Sequence, residues 1–161
     1  MLHRRALPIL LSVALLVVTV SAGPALALDE ADRLMLVGEK SYEDGLYPLS
    51  QRMLDRFIER FPGDKRAGEA MLLLGKARLS GGSLEAALDA FKKTEGFSPV
   101  PGKPQEARFW EAETLYRMKR FTDARAAYAR VISAEPASPL LPDALYSMGW
   151  TDIELSAGMR P

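Results

Sequence analysis

No cysteine occurs among the 161 residues, and the single histidine is His3. The first absence excludes disulfides, thiolate nucleophiles and Cys-ligated zinc. The second leaves everything after His3 without an imidazole, which removes catalytic triads and most general acid–base chemistry. Charge of one sign is missing too, since 21 Lys and Arg balance 21 Asp and Glu. Without a clustered basic face a nucleic-acid partner is not expected. What remains is the composition of an ordinary folded chain, 48 % apolar and 26 % charged, of a length that suits one domain or several repeats of an array.

The N-terminus reads as a targeting segment. His3, Arg4 and Arg5 precede an apolar run over 6–20, followed by Ser21-Ala22-Gly23-Pro24 and Ala25-Leu26-Ala27. A basic start, a short apolar stretch and an A-x-A site form the pattern of a secretory signal, here 1–27 with cleavage after Ala27. A second cleavage position follows Val20-Ser21-Ala22, and retention as an anchor is the alternative. No cysteine follows the apolar run to carry a lipid. All 21 acids lie beyond residue 27 and two of the 21 basic residues do not, so the mature chain has a charge of −2.

Self-comparison organises the rest. Gly38, Gly75, Ala112 and Gly149 are spaced by 37 residues, and so are the small residues Ser50, Ala87 and Ala124. The same period relates the large residues Leu54, Phe91 and Tyr128, and Tyr47, Leu84 and Phe121. It also relates Pro62, Pro99 and Pro136, and the acid–alanine pairs ending at Ala70, Ala107 and Ala144. Each unit reads as two helices; in the third these are predicted over 107–118 and 122–134, with a break at Lys119-Arg120. Pro136, Phe61-Pro62-Gly63 and the stretch 98–104 are stop signals. Asp64 and Ser138 are expected to cap the following helices, with Pro139 in a first turn. Gly75 with Ala87, and Ala112 with Ala124, are expected to form the close helix crossing, with Phe91 or Tyr128 beside it. A single hairpin cannot bury its apolar face, so successive units must stack.

These residues resemble the tetratricopeptide repeat, with small residues at its eighth and twentieth positions, an aromatic at its twenty-fourth and proline at its thirty-second. Copies are expected at about 31–64, 68–101 and 105–138, with a partial fourth at 142–161. The resemblance implies an all-α, right-handed solenoid of antiparallel helix hairpins. The extended period, with Phe57-Ile58-Glu59-Arg60-Phe61-Pro62-Gly63-Asp64 and Pro142-Asp143-Ala144-Leu145-Tyr146, is similar to repeats of bacterial envelope proteins. Among these are BamD-like outer-membrane assembly lipoproteins and YbgF-type periplasmic proteins of the Tol–Pal system. Neither a lipidated cysteine nor a heptad-rich segment before the repeats is present. Ending at Pro161 after one helix of a fourth hairpin leaves an apolar face open, which suggests the N-terminal piece of a longer repeat protein. Thr151 to Leu155 extending the helix as a makeshift cap is the alternative.

In this repeat class the first helices line a concave peptide-binding groove. Carried over by position, one row is Met35, Leu72, Phe109 and Tyr146, a second Glu39, Lys76, Glu113 and Trp150, and a third Tyr42, Leu79, Tyr116 and Ile153. The resemblance implies that Glu39, Tyr42, Leu72, Lys76, Phe109, Glu113, Tyr116, Tyr146 and Trp150 contact a peptide. Aromatics interleaved with acids suit a segment with apolar anchors and some basic character. Packing between repeats is the competing role for Phe109, Tyr116 and Tyr146. The chain has no Asn, and its first row has no Lys, so capture of a C-terminal carboxylate is not expected. Glu106, Glu111 and Glu113 read as a solvated face, Trp110 as packing, and Gly81-Gly82-Ser83 as a turn lacking a phosphate-loop ending.

The expected function is an exported, non-catalytic scaffold for protein–protein interaction in the envelope, on the periplasmic side. It needs no cofactor, metal or small-molecule substrate. The rival readings are the helical arm of a longer, for example peptidoglycan-active, envelope enzyme, and a structural subunit that self-associates through its unfinished C-terminal hairpin.

Overall fold

The structure, a computed structural model, describes residues 28–97, 104–134 and 138–158. The expected signal segment and the stop prolines Pro99 and Pro136 lie outside the described residues. Among those residues there are helices and turns and no strand. The order is α1 (Glu30–Glu43), α2 (Tyr47–Arg60), α3 (Ala67–Ser80), α4 (Leu84–Thr94), α5 (Pro104–Arg117), α6 (Phe121–Ala134) and α7 (Leu141–Gly158). First helices begin at 30, 67, 104 and 141, and second helices at 47, 84 and 121, so both keep the 37-residue period. The architecture is the expected all-α solenoid of helix hairpins.

The tight turn inside each hairpin repeats as well. Gly45, Gly82 and Lys119 take positive φ of 74°, 82° and 58°. The residue after each donates its N–H back to the helix, Leu46 to Ser41, Ser83 to Arg78 and Arg120 to Leu115, at 2.8–3.0 Å. This left-handed ending satisfies carbonyls that the last helical turn would otherwise leave free. Glycine adopts it without steric cost, whereas Lys119 does not.

Contact between the two helices of a hairpin rests on the small residues, with the large residue lying nearest the glycine. A Cβ on Gly75 would lie 2.5 Å from Phe91 Cε1, and one on Gly38 would lie 2.8 Å from Leu54 Cδ2. The glycine thus makes room for the large residue at the aromatic position. Ser50 does meet the glycine backbone, donating its hydroxyl to Gly38 O at 2.8 Å. Ala87 and Ala124 fill the same position and are fully buried.

Two expectations are corrected. The third unit's helices begin three and one residues earlier than predicted, at Pro104 and Phe121. Pro104 opens α5 because its missing N–H is of no consequence in a first turn. Asp64 and Ser138 do not cap α3 and α7. They accept the N–H two residues on, from Arg66 at 2.8 Å and Leu140 at 3.2 Å, and so hold the turn before each helix. Pro139 accordingly lies ahead of α7.

Every helix packs on its neighbours in the chain, and α1 meets α3, α3 meets α5 and α5 meets α7. Among the described residues no such contact joins α2, α4 and α6. The first helices therefore lie on the inner side of a curved stack and the second helices on its outer side. α7 departs from the pattern by running through position 156, the register mate of Lys119. A Cβ on its Gly149 would meet nothing within 4 Å.

Candidate functional site

The inner face is built from the first helices, and burial sorts the expected contact residues. Met35, Leu72 and Phe109 are 4 %, 2 % and 7 % exposed, so the expected first row is mostly interior, with Leu72 reaching the inner face only as part of the floor of a hollow. Met35 shares a core cluster with Ala70 and Leu74 of α3, Leu72 with Ala107 of α5 and Phe109 with Ala144 of α7, and Phe109 also packs against Trp110 and Tyr128. Leu79 of the third row is likewise buried. Tyr146 has the same register but is 69 % exposed, because α7 has no successor among the described residues.

The second row and the tyrosines of the third lie at the surface. Glu39 and Lys76 line a hollow of about 190 Å³ with Glu69, Leu72, Leu73 and Glu106. Lys76 Nζ is 3.0 Å from Glu106 Oε1 and 5.2 Å from the centroid of the Trp110 ring. Trp110 packs on the preceding hairpin, against the cluster of Leu72, Leu79, Ala87, Phe91 and Ala107. Tyr42 and Tyr116 are half-buried, each against the residue that opens its hairpin's second helix, Tyr47 and Phe121.

A second hollow, of about 160 Å³, is lined by Glu113, Tyr116, Tyr146, Ser147 and Trp150. Four of the nine expected contact residues meet there. Tyr146 and Trp150 lie one helical turn apart on α7 with ring centroids 6.2 Å apart and planes at 74°. Glu113 Oε1 accepts the Tyr128 hydroxyl at 2.6 Å and the Ser147 hydroxyl at 2.7 Å. The phenol of Tyr128 is pushed above its ordinary range by burial, and further by the carboxylate it faces.

The acids of α5 are therefore not a solvated face. Glu106 pairs with Lys76, Glu111 lies 3.5 Å from Arg130, and Glu113 holds α6 and α7. Sequence reading missed this because the partners of Glu113 stand 15 and 34 residues away. A broader hollow on the hairpin turns, lined by Gly82 to Ala86 and Met118, brings only Glu85 as an ionisable group.

Among the described residues no three acids or histidines converge as a metal site, and no helix is long and apolar enough to cross a membrane. Family models described as Tetratricopeptide repeat match residues 42–101 and 106–138. The chain carries tetratricopeptide repeats, and with them a fold that serves as a scaffold for protein–protein interaction. Comparison with curated proteins finds no match.

Proposed function

We propose that this chain is an exported, non-catalytic scaffold of the bacterial envelope that holds a protein segment along its inner face. The observation that carries the reading is the stacking of first helices on first helices, which lines up Glu39, Tyr42, Lys76, Tyr116 and Trp150 on one surface. Export is supported by the basic, apolar and A-x-A sequence of residues 1–27,. The envelope setting is supported by the similarity of its extended repeats to those of BamD-like and YbgF-type proteins.

Site-specific photo-crosslinking tests the surface. A crosslinker replacing Tyr42 or Trp150 should trap a discrete protein partner in cells, and one replacing Ala129 on the outer helix α6 should not. Equal trapping from both faces would refute the groove. Cell fractionation with N-terminal sequencing tests export, the expected mature chain beginning at Leu28.

A second reading, self-association, is favoured by α7. Leu145, Tyr146, Trp150 and Ile153 are 47 %, 69 %, 45 % and 55 % exposed on this one helix. Sedimentation equilibrium separates the two, since only a self-associating chain gains mass with concentration.

A further inference from the structure

We propose that the pocket between α5 and α7 is a lysine-binding site, in which Tyr116, Tyr146 and Trp150 offer ring faces and Glu113 the counter-charge to an ammonium on a partner's side chain. The inference rests on reading the inner face as the binding surface and names the chemistry one end of it selects.

Three aromatic rings around a carboxylate attract a cation electrostatically, because the ring faces carry negative charge density. No Lys or Arg lines the pocket, so no cation from the lining fills that role. The described part of α7 carries Asp143, Asp152 and Glu154 and no basic residue; Asp152 is paired with Arg125 of α6 at 2.6 Å, which leaves Asp143 and Glu154 to bias the helix towards negative charge. Tyr146 and Trp150 are exposed enough to be covered by a ligand. The hollow of about 160 Å³ is too small for a folded element and suits a single side chain.

The molecule already holds one ammonium between an aromatic ring and a carboxylate. One step earlier in the array, Lys76 brings its ammonium to the Trp110 ring and the Glu106 carboxylate. The register mate of Lys76 in the next step is Glu113. The register mates of Trp110 and Glu106 are Ser147 and Asp143, so that pair of ring and carboxylate is not repeated; the step between α5 and α7 instead has Glu113 in the lysine's place, with Tyr116, Tyr146 and Trp150 about it.

The hydrogen bonds on Glu113 choose between the two basic side chains. Both the Tyr128 and the Ser147 hydroxyls fall on Oε1, using its two lone-pair directions,. Only Oε2 is left for a ligand. A guanidinium gains most from a carboxylate by bonding both oxygens in parallel, whereas an ammonium needs one. The site therefore prefers lysine to arginine.

Nuclear magnetic resonance on the full-length chain in mild detergent tests this, following the indole N–H of Trp150, with Trp150→Phe to assign it. The probes are the Nα-acetyl amides of lysine, arginine and norleucine. The lysine probe should shift the Trp150 signal saturably, arginine more weakly, and norleucine, which has the stem without the charge, least. Glu113→Gln keeps an acceptor for Tyr128 and Ser147 but loses the charge, and should weaken lysine binding about tenfold or more. The exposed Tyr146→Leu is a second variant whose folding is not at stake, and it should weaken binding also.

Equal response to norleucine, a preference for arginine, or no saturable shift with the lysine probe would each overturn the proposal. Should the probe fail while crosslinkers at Tyr42 still trap a partner, the pocket is refuted and the groove stands. Failure of both removes the two together.

Discussion

Tyr128 and Glu113 are joined across the α5–α6 hairpin by a 2.6 Å hydrogen bond from phenol to carboxylate. The ring of Tyr128 is fully buried, and its register mates Leu54 and Phe91 are apolar. The hydroxyl is therefore what this unit adds to a position that is otherwise simply large. Tyr128→Phe keeps the packing and should cost about 1.5–3 kcal/mol, the range for losing a hydrogen bond to a charged group. Urea unfolding at neutral pH measures it. The phenol is held above its ordinary range in the folded chain. Its contribution is then complete below about pH 10, the unfolded value, and is lost progressively as pH rises from there towards the raised folded value, because ionisation favours the unfolded state. The alkaline loss of stability should be shallower in the phenylalanine variant.

Two glycines of the same register should respond oppositely to alanine. At Gly75 the added methyl meets the buried Phe91 ring at 2.5 Å, and Gly75→Ala should destabilise by about 1–3 kcal/mol,. At Gly149 it meets nothing within 4 Å, and Gly149→Ala should stabilise by about 0.5–1 kcal/mol through helix propensity alone,. Paired thermal melts decide the matter, and a shared sign would contradict the packing described.

Lys119 is the one non-glycine residue at positive φ among the described residues. Since Gly45 and Gly82 fill the equivalent turns, Lys119→Gly should raise stability by about 1 kcal/mol. Lys119→Ala serves as the control, because it changes the charge and keeps the strain. A gain of equal size in both variants would assign the effect to charge.

Asp64 and Arg66 form the ion pair with a readable acid dependence. Bonded by the Arg66 guanidinium, the Asp64 carboxyl is lowered from 3.8 to about 2. A depressed carboxyl stabilises above its unfolded value and stops doing so as pH falls through its folded one. The difference in stability between the wild type and Asp64→Asn should thus be constant above about pH 4 and shrink towards pH 2. Arg66 also bonds Asp32 of α1 at 2.7 Å, so Arg66→Gln should loosen the first unit as well. Hydrogen exchange along α1 reports that loosening.

Most of the fold is legible in the sequence, because the period is carried by residues whose size matters locally. Gly38, Leu54, Gly75 and Phe91 announce the helix crossings through small and large positions alone. The inner face is less legible. Whether Phe109 faces a ligand or the next helix depends on how far one unit steps along the stack, and no window of a few residues encodes that. Trp110 and Phe109 are adjacent, yet the buried one is the residue that family position assigns to the groove. Glu113 is harder still. Its hydroxyl partners come from α6 and α7, and nothing around it in the chain distinguishes it from Glu111.

Among the described residues, each helix touches only those one or two places away in the chain. No contact returns from α7 to α1, so the molecule has no keystone whose removal lets everything fall. Such an array behaves as a zip rather than a vault, opening unit by unit from its ends. Contacts this local also favour rapid closure, since little chain must be looped before they form. A disturbance at one end should accordingly fade with distance, and the pocket beside α7 can be remodelled with little effect on α1 and α2.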